Sequence, residues 1–248
     1  MINNRNAPSY KAAKKLNNIL KLYLNFDNYY TIDNSMTLDH DLTKPNINGH
    51  HRLMSLDIKD LYVNIPIRET IDITRQQLLK YNDVEIMLQI CKLSETILQQ
   101  NYFTFQDQIY QPAKGIAMGS PISGTIADIF LQYLEHIHIK PLLDSKWIVL
   151  YSQYIDDILI IYDNERTNPN TLMQYTIHEC LQFHPTQESN DLINFLDLTI
   201  IKRNLQQQAP QYISYPTTLM NTNWQHTDII LKGCSTSHLM QNTNTENG

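Results

Sequence analysis

Two aspartates, Asp156 and Asp157, stand side by side between the apolar runs WIVLYSQY and ILIIYD. Neither charge suits the interior of a strand, so the pair belongs at the tip of a hairpin whose strands are covered on at least one face. By itself an Asp pair at such a tip is also ordinary turn chemistry. A third carboxylate changes its meaning: Asp57 closes the apolar segment RLMSLDI, and adjacent strands would gather all three. Carboxylates about 4 Å apart repel by roughly 4 kcal/mol per pair at an effective dielectric of about 20. A bound dication relieves that repulsion. Oxygen-only ligands on a rigid sheet suit Mg²⁺, and two such ions about 3.5 to 4 Å apart can activate an attacking hydroxyl and stabilise a leaving pyrophosphate. That is the chemistry of nucleotidyl transfer.

Periodicity and turn signals supply the elements that must hold these residues. Ala12, Leu16, Ile19, Leu20 and Tyr23 recur at helical spacing behind Ser9, predicting a basic amphipathic helix over 9–24. Residues 26–50 are polar and broken by Pro45 and Gly49, and predict an irregular connection. A buried strand follows over 52–58. Pro66 suits the first turn of one helix, and Asp83 caps a second that runs to about Gln99. NYFTFQ and QIYQ flank Asp107 as a short hairpin. Ser120 as N-cap and Pro121 at the first position open a helix whose apolar face carries Ile122, Ile126, Ile129, Phe130, Tyr133 and Ile137. Asn168 and Pro169 begin another helix, to about Leu181. INFLDLTIIKR and QYISY predict a further pair of strands, and TSHLMQNTNTENG a disordered tail. The sum is an α+β fold: an antiparallel sheet with helices packed on one face.

The bulk properties set limits. With 248 residues the chain is long enough for a substantial core. Cys91, Cys180 and Cys234 are scattered and odd in number, which argues against a disulfide framework and for a reducing compartment. His178, Cys180 and His184, or Cys234 and His238, lack the second matching pair that a zinc site needs. No signal peptide and no membrane-spanning apolar run is present in the sequence, so an intracellular protein is expected, in cytoplasm or nucleus, without a membrane partner. The formal charge of −6 opposes broad contact with phosphate backbones, whereas Arg5, Lys11, Lys14, Lys15 and Lys21 make the first segment basic.

Four ordered blocks carry a family pattern: SLDIKDLYVNIPI (55–67), QPAKGIAMGSPIS (111–123), YIDD (154–157) and NFLDL (194–198). In this order they resemble a reverse transcriptase, an RNA-directed DNA polymerase, and look most like the Penelope-like branch of retroelements. The resemblance spans roughly residues 5–220. It implies a polymerase palm with partial fingers: a fingers segment with the basic helix over 1–50, a palm over 51–220 with inserted fingers-like helices at about 66–115, and a C-terminal segment over 221–248.

Residue by residue, the resemblance makes Asp57, Asp156 and Asp157 the catalytic metal ligands, with the Ile58 carbonyl as a main-chain ligand. Two Mg²⁺ ions are implied, with Mn²⁺ as a substitute. Tyr62 matches the residue whose ring excludes a ribose 2′-hydroxyl; without the family pattern it reads as a core aromatic. Gly119, Ser120 and Pro121 match the nucleotide-binding turn that enters the helix behind the nucleotide and template. The implied partners are an RNA template, a DNA primer and deoxynucleoside triphosphates. Gln153 stands where an Arg is common in the branch, Gly124 where a Pro is common, and HPTQES replaces a Phe-Thr-x-Glu-like pattern. The upstream basic strands and the thumb have no counterpart in the chain. The alternative expectation is therefore a catalytically silent palm fragment of a decayed retroelement with at most weak RNA binding.

Overall fold

Strict alternation along two central strands divides the protein into two cores. Met54, Leu56 and Ile58 of β1 (His51–Lys59), with Ile158, Ile160 and Tyr162 of β5 (Asp157–Asp163), point into the larger core, while Leu53, Leu159 and Ile161 point into a smaller one on the opposite face. β5 is consequently buried on both sides, which a continuous apolar run such as ILIIY permits. The computed structural model describes residues 9–24, 30–80, 83–176, 178–203 and 227–232.

β2 (Phe103–Phe105) and β3 (Gln108–Tyr110) pair antiparallel as the short hairpin expected around Asp107. β1 pairs antiparallel with β5 and with β6 (Gln182–Gln187), and β5 pairs with β4 (Ile148–Tyr154), giving the order β4-β5-β1-β6. The larger core is closed by α1 (Ser9–Tyr23), α4 (Ile67–Leu78), α5 (Val84–Gln99) and α6 (Ser123–Leu134). The α+β expectation is met, with these four helices on one face of the antiparallel sheet and a fifth on the other. The far half of the other face is covered too, by α2 (Ser35–Leu42) and the hairpin of β7 (Leu192–Phe195) and β8 (Leu198–Arg203). β9 (Thr227–Lys232) lies parallel to β8.

Several expectations are corrected. In α1 the buried alanine is Ala13, with Leu16 and Leu20, not Ala12. The connection over 26–50 contains α2, whose start is set by Asn34: its side-chain oxygen accepts from the Thr37 N–H at 3.0 Å, leaving Leu38 and Leu42 on one buried face. INFLDLTIIKR is not one strand but the hairpin β7–β8, turned at Leu196 and Asp197 with Leu196 at φ 54°. QYISY and the expected tail lie outside the described residues. The helix after Pro169, α8 (Pro169–Thr176), starts as expected, with the Asn168 side chain accepting from Thr171 N–H at 3.0 Å, but it ends well short of Leu181. Gln182 then enters the four-stranded sheet as β6, a strand whose mostly exposed residues give no apolar pattern to read.

The helix after the GSP triplet departs furthest from its local signals. It begins at Ser123, not after Ser120, and no side chain caps it: Ile122 occupies the N-cap position in a helical conformation. Ser120 and Pro121 form a preceding turn, closed by Ser123 N–H donating to the Ser120 carbonyl at 3.1 Å. At the other end, Glu135–Ile139 adopts a π-helical turn before α7 (Lys140–Asp144). The extra residue in that turn rotates the following face, so Glu135 and Ile139 are buried and Ile137 is exposed.

Glu135 is thus a carboxyl inside the larger core, its Oε1 without a hydrogen-bond partner. Burial pushes it up to about 8, a hydrogen bond with Tyr151 opposes the shift, and the Asp128 charge adds to it. Between about pH 4.5 and 8 the folded chain keeps this proton while the unfolded chain releases it. Stability therefore falls as pH rises through that window, by at most about 1.4 kcal/mol per pH unit from this group. Thermal melts of Glu135→Gln across pH 5 to 9 should show a flatter profile than the parent; an equal slope would place the titration elsewhere.

Candidate metal and nucleotide site

In the β1–β5 register Asp57 lies directly opposite Asp157, at the open end of the sheet. Like charges directly opposite each other on a sheet face are destabilising, so the sequence tolerates this pair at a cost. Asp156 comes alongside through the hairpin turn: β4 and β5 are joined by Ile155 and Asp156 alone, between the paired residues Tyr154 and Asp157. Asp157 is therefore the first residue of β5, and only Asp156 of the two sits in the turn itself. The turn is fastened to the central strand, since Ile58 N–H donates to the Asp156 carbonyl at 2.9 Å.

The electrostatics follow from this placement. Burial raises the Asp157 carboxyl above its ordinary range, and the Asp156 and Asp57 charges raise it further. Asp57 is exposed and Asp156 and Asp157 are half-buried, so the carboxylates border solvent on one side. Among the described residues no three acidic, histidine or cysteine side chains converge as a ready-made ligand set. The donor chemistry nonetheless fits a hard dication: all-oxygen groups on paired strands and their connecting turn. The Ile58 backbone pairs with Phe183 of β6 on one side and reaches the Asp156 carbonyl on the other.

Tyr62 lies on α3 (Leu61–Asn64), the turn that follows β1 after Asp60 takes a left-handed φ of 51°. Its ring packs against the larger core. Its hydroxyl is pushed upward by burial first, then by the charges of Asp128 and Asp156, which puts the ring in the field of the carboxylate group. Asp128, on α6, keeps solvent contact on one side; the protein around its carboxyl raises it, partly offset by Lys21 of α1.

The GSP segment reaches this region through a loop tied to α3. Ile116 N–H donates to the Tyr62 carbonyl at 2.8 Å, and Lys114 Nζ donates to Asn64 Oδ1 at 2.8 Å. Gly119 has φ 91°, a conformation that favours glycine. Ser120 borders a cleft with Ser9, Gln100 and Asn101, facing the helices rather than the aspartates. Pro121 shapes the turn before α6.

Sequence reasoning missed Gly115 altogether and, although it weighed His184 for zinc, missed its place beside Asp57. Gly115 has φ 76°, and a Cβ placed on it would lie 2.3 Å from the Val63 carbonyl oxygen, so the loop touches the α3 backbone where only glycine fits. Its place in KGIAMG gave no sign of that contact. His184 of β6 pairs with Asp57, forming with Asp157 a row across three strands. Its neighbours in HPTQES carry no strand pattern that could have revealed it. Of the residues weighed for zinc, His178 Nδ1 and Cys180 Sγ lie 2.9 Å apart as a hydrogen-bonded pair and His178 Nε2 faces Glu69 at 3.3 Å, while Cys234 and His238 lie outside the described residues. No helix among the described residues is long and apolar enough to cross a membrane.

Comparison with solved structures finds the same fold in telomerases. The apo telomerase from Candida tropicalis aligns with a TM-score of 0.56 at 12% identity, covering 79% of this chain and 39% of that one. Telomerase from Candida albicans in complex with a fragment of telomeric RNA gives 0.56 at 12%, covering 79% and 38%. At these identities the likeness speaks for the fold alone, and the chain spans about two fifths of the length of those structures. A comparison with curated proteins gives no match. The family described as reverse transcriptase (RNA-dependent DNA polymerase) matches residues 8–191, a span that contains the three aspartates, Tyr62 and the GSP turn. The chain belongs to the reverse transcriptase family.

Proposed function

We propose that this chain is the palm of an RNA-directed DNA polymerase that extends a DNA primer on an RNA template with deoxynucleoside triphosphates. The observation that carries this reading is the opposed pair Asp57 and Asp157, joined by Asp156 at one end of the sheet. Asp57, Asp156 and Asp157, with the Ile58 carbonyl, would hold two Mg²⁺ ions, or Mn²⁺ in their place. When bound, these supply activation of the primer 3′-hydroxyl and charge neutralisation at the leaving pyrophosphate. The protein's own part is positioning: paired strands hold two of the carboxylates in register, and the hairpin turn adds the third.

Tyr62 is the sugar gate in this reading. A ring packed against the core within the field of Asp156 would leave no room for one more oxygen on the sugar. Gly119 and Pro121 would shape the turn beside the path of the nucleotide and template, with Ser120 turned toward the helices on its far side, and α1, with four lysines, would contact phosphates. The order of the blocks favours a mobile element of the Penelope-like branch, with a fingers segment over 1–50, a palm over 51–220 and a C-terminal segment over 221–248, acting in the cytoplasm or nucleus.

Primer extension on an RNA template tests the reading. The purified chain should incorporate deoxynucleotides in Mg²⁺ and none in chelator, and Tyr62→Ala should admit ribonucleotides at least about tenfold better. A folded chain without metal-dependent extension would identify a silent palm fragment. Unchanged sugar discrimination in an active Tyr62→Ala would remove the gate from Tyr62.

A further inference from the structure

The turn that presents Asp156 and Asp157 is held in an unfavourable shape. Ile155 has φ 56°, in the left-handed region that a β-branched residue seldom enters, and it is about half exposed, so packing alone does not force it there. Such a conformation costs on the order of 1–3 kcal/mol and persists only where the surroundings over-determine it.

Two consecutive carbonyls of this turn are held from two sides. The Asp156 carbonyl accepts from the Ile58 N–H of β1 at 2.9 Å. The Ile155 carbonyl accepts from the side-chain amide of Gln153, Nε2, at 2.8 Å. Gln153 itself is buried, with 4% exposure, and its backbone is anchored on the outer edge of β4. Its N–H donates to the Tyr30 carbonyl at 2.8 Å, and its carbonyl accepts from the Ile32 N–H at 2.9 Å, so residues 30–32 strap the strand in place. The ring of Tyr30 packs edge-on against Tyr151 with centroids 5.7 Å apart, fixing the strap in turn. Gln153 is therefore a donor on a rigid base, aimed at the peptide that must keep its orientation if Ile155 is to stay left-handed.

We infer that Gln153 is a positioning residue for the aspartates: its side-chain amide locks the Ile155 peptide and thereby sets the orientation of the Asp156 and Asp157 carboxylates. Without the donor, the peptide between Ile155 and Asp156 is free to rotate and relieve Ile155, and the Asp156 carboxylate turns with it. The inference rests on the reading of those aspartates as metal ligands, but the lock itself is a property of the turn and can be measured without metal.

Gln153→Met keeps the length and volume of the side chain and removes the donor; Gln153→Lys keeps a donor on a stem of similar reach. Hydrogen exchange of the full chain without divalent ions should show residues 155–158 exchanging about tenfold faster in Gln153→Met, with β1 and α6 unchanged, and protection restored in Gln153→Lys. Mn²⁺ binding followed by electron paramagnetic resonance should weaken about tenfold in Gln153→Met. Turn exchange equal to the parent overturns the lock, whatever the metal does. If the turn loosens and Mn²⁺ binding is unchanged, the positioning role is overturned. Mn²⁺ binding that survives Asp156→Asn with Asp157→Asn instead overturns the metal reading, and the exchange result still decides the lock. A general loss of protection in Gln153→Met would show a residue of the core, and that too overturns the inference.

Discussion

Replacing Asp156 and Asp157 together by Asn is expected to abolish primer extension, a loss on the order of 10³-fold or more, while the chain stays folded. Asn preserves the shape of both side chains, so the hairpin, its two-residue turn and the Ile58 to Asp156 backbone bond remain. What disappears is charge. The unsubstituted site brings three carboxylates to one sheet end, where burial first, and the charges of Asp156 and Asp57 after it, hold the Asp157 carboxyl above its ordinary range. Removing two of the charges relieves their repulsion and should leave the metal-free protein no less stable. A steady-state assay with RNA template and deoxynucleotides, paired with a thermal melt, checks both halves. Equal extension by the variant would remove the catalytic role from the pair, and a collapsed melt would mean that the carboxylates hold the hairpin together.

Gly115→Ala is expected to destabilise the chain strongly. Its Cβ would meet the Val63 carbonyl oxygen at 2.3 Å, and the Val63 carbonyl carbon and Cα at 2.5 and 2.6 Å. Those atoms are backbone and cannot swing aside as a side chain would. The left-handed φ of 76° adds about 1–2 kcal/mol for any L side chain, and displacing the neighbouring backbone adds about 1–3 kcal/mol. A total loss of about 3 kcal/mol should appear as a lower denaturant midpoint at constant slope. Val63 adjoins Tyr62, whose carbonyl holds the same loop through Ile116, so sugar discrimination should loosen with stability. A midpoint within about 0.5 kcal/mol of the parent would mean that the loop moves freely off α3.

Much of this site was legible because its signals are local. Asp156 and Asp157 interrupt an apolar run, and Asp57 ends one; that their strands are neighbours with the charges at a common end is supplied by the β1–β5 pairing. Asp83 and Asn168 cap their helices as their spacing suggests, because a side-chain oxygen three residues before an unpaired N–H needs no tertiary help. The start of α6 misleads for the converse reason. Ser and Pro are good helix openers in isolation, but the loop is held by Ser123 Oγ donating to the Ala117 carbonyl at 2.7 Å, and that bond delays the helix to Ser123. The π-helical turn at Glu135 leaves no mark on a 3.6-residue pattern except that Ile137 falls on the wrong side. β6 is readable only from its partner strand, since its own residues are mostly exposed. Gly115 and Gln153 depend on contacts with Val63 and with residues 30–32, far away in sequence, and no spacing rule points to either.

Diffraction from crystals of the full chain soaked in Mn²⁺, recorded for anomalous scattering, tests the metal site most directly. The account predicts anomalous density bounded by the carboxylates of Asp57, Asp156 and Asp157 and the Ile58 carbonyl, lost in the double Asn variant. Anomalous density elsewhere on the chain, with the three aspartates solvent-accessible and bare, would contradict it.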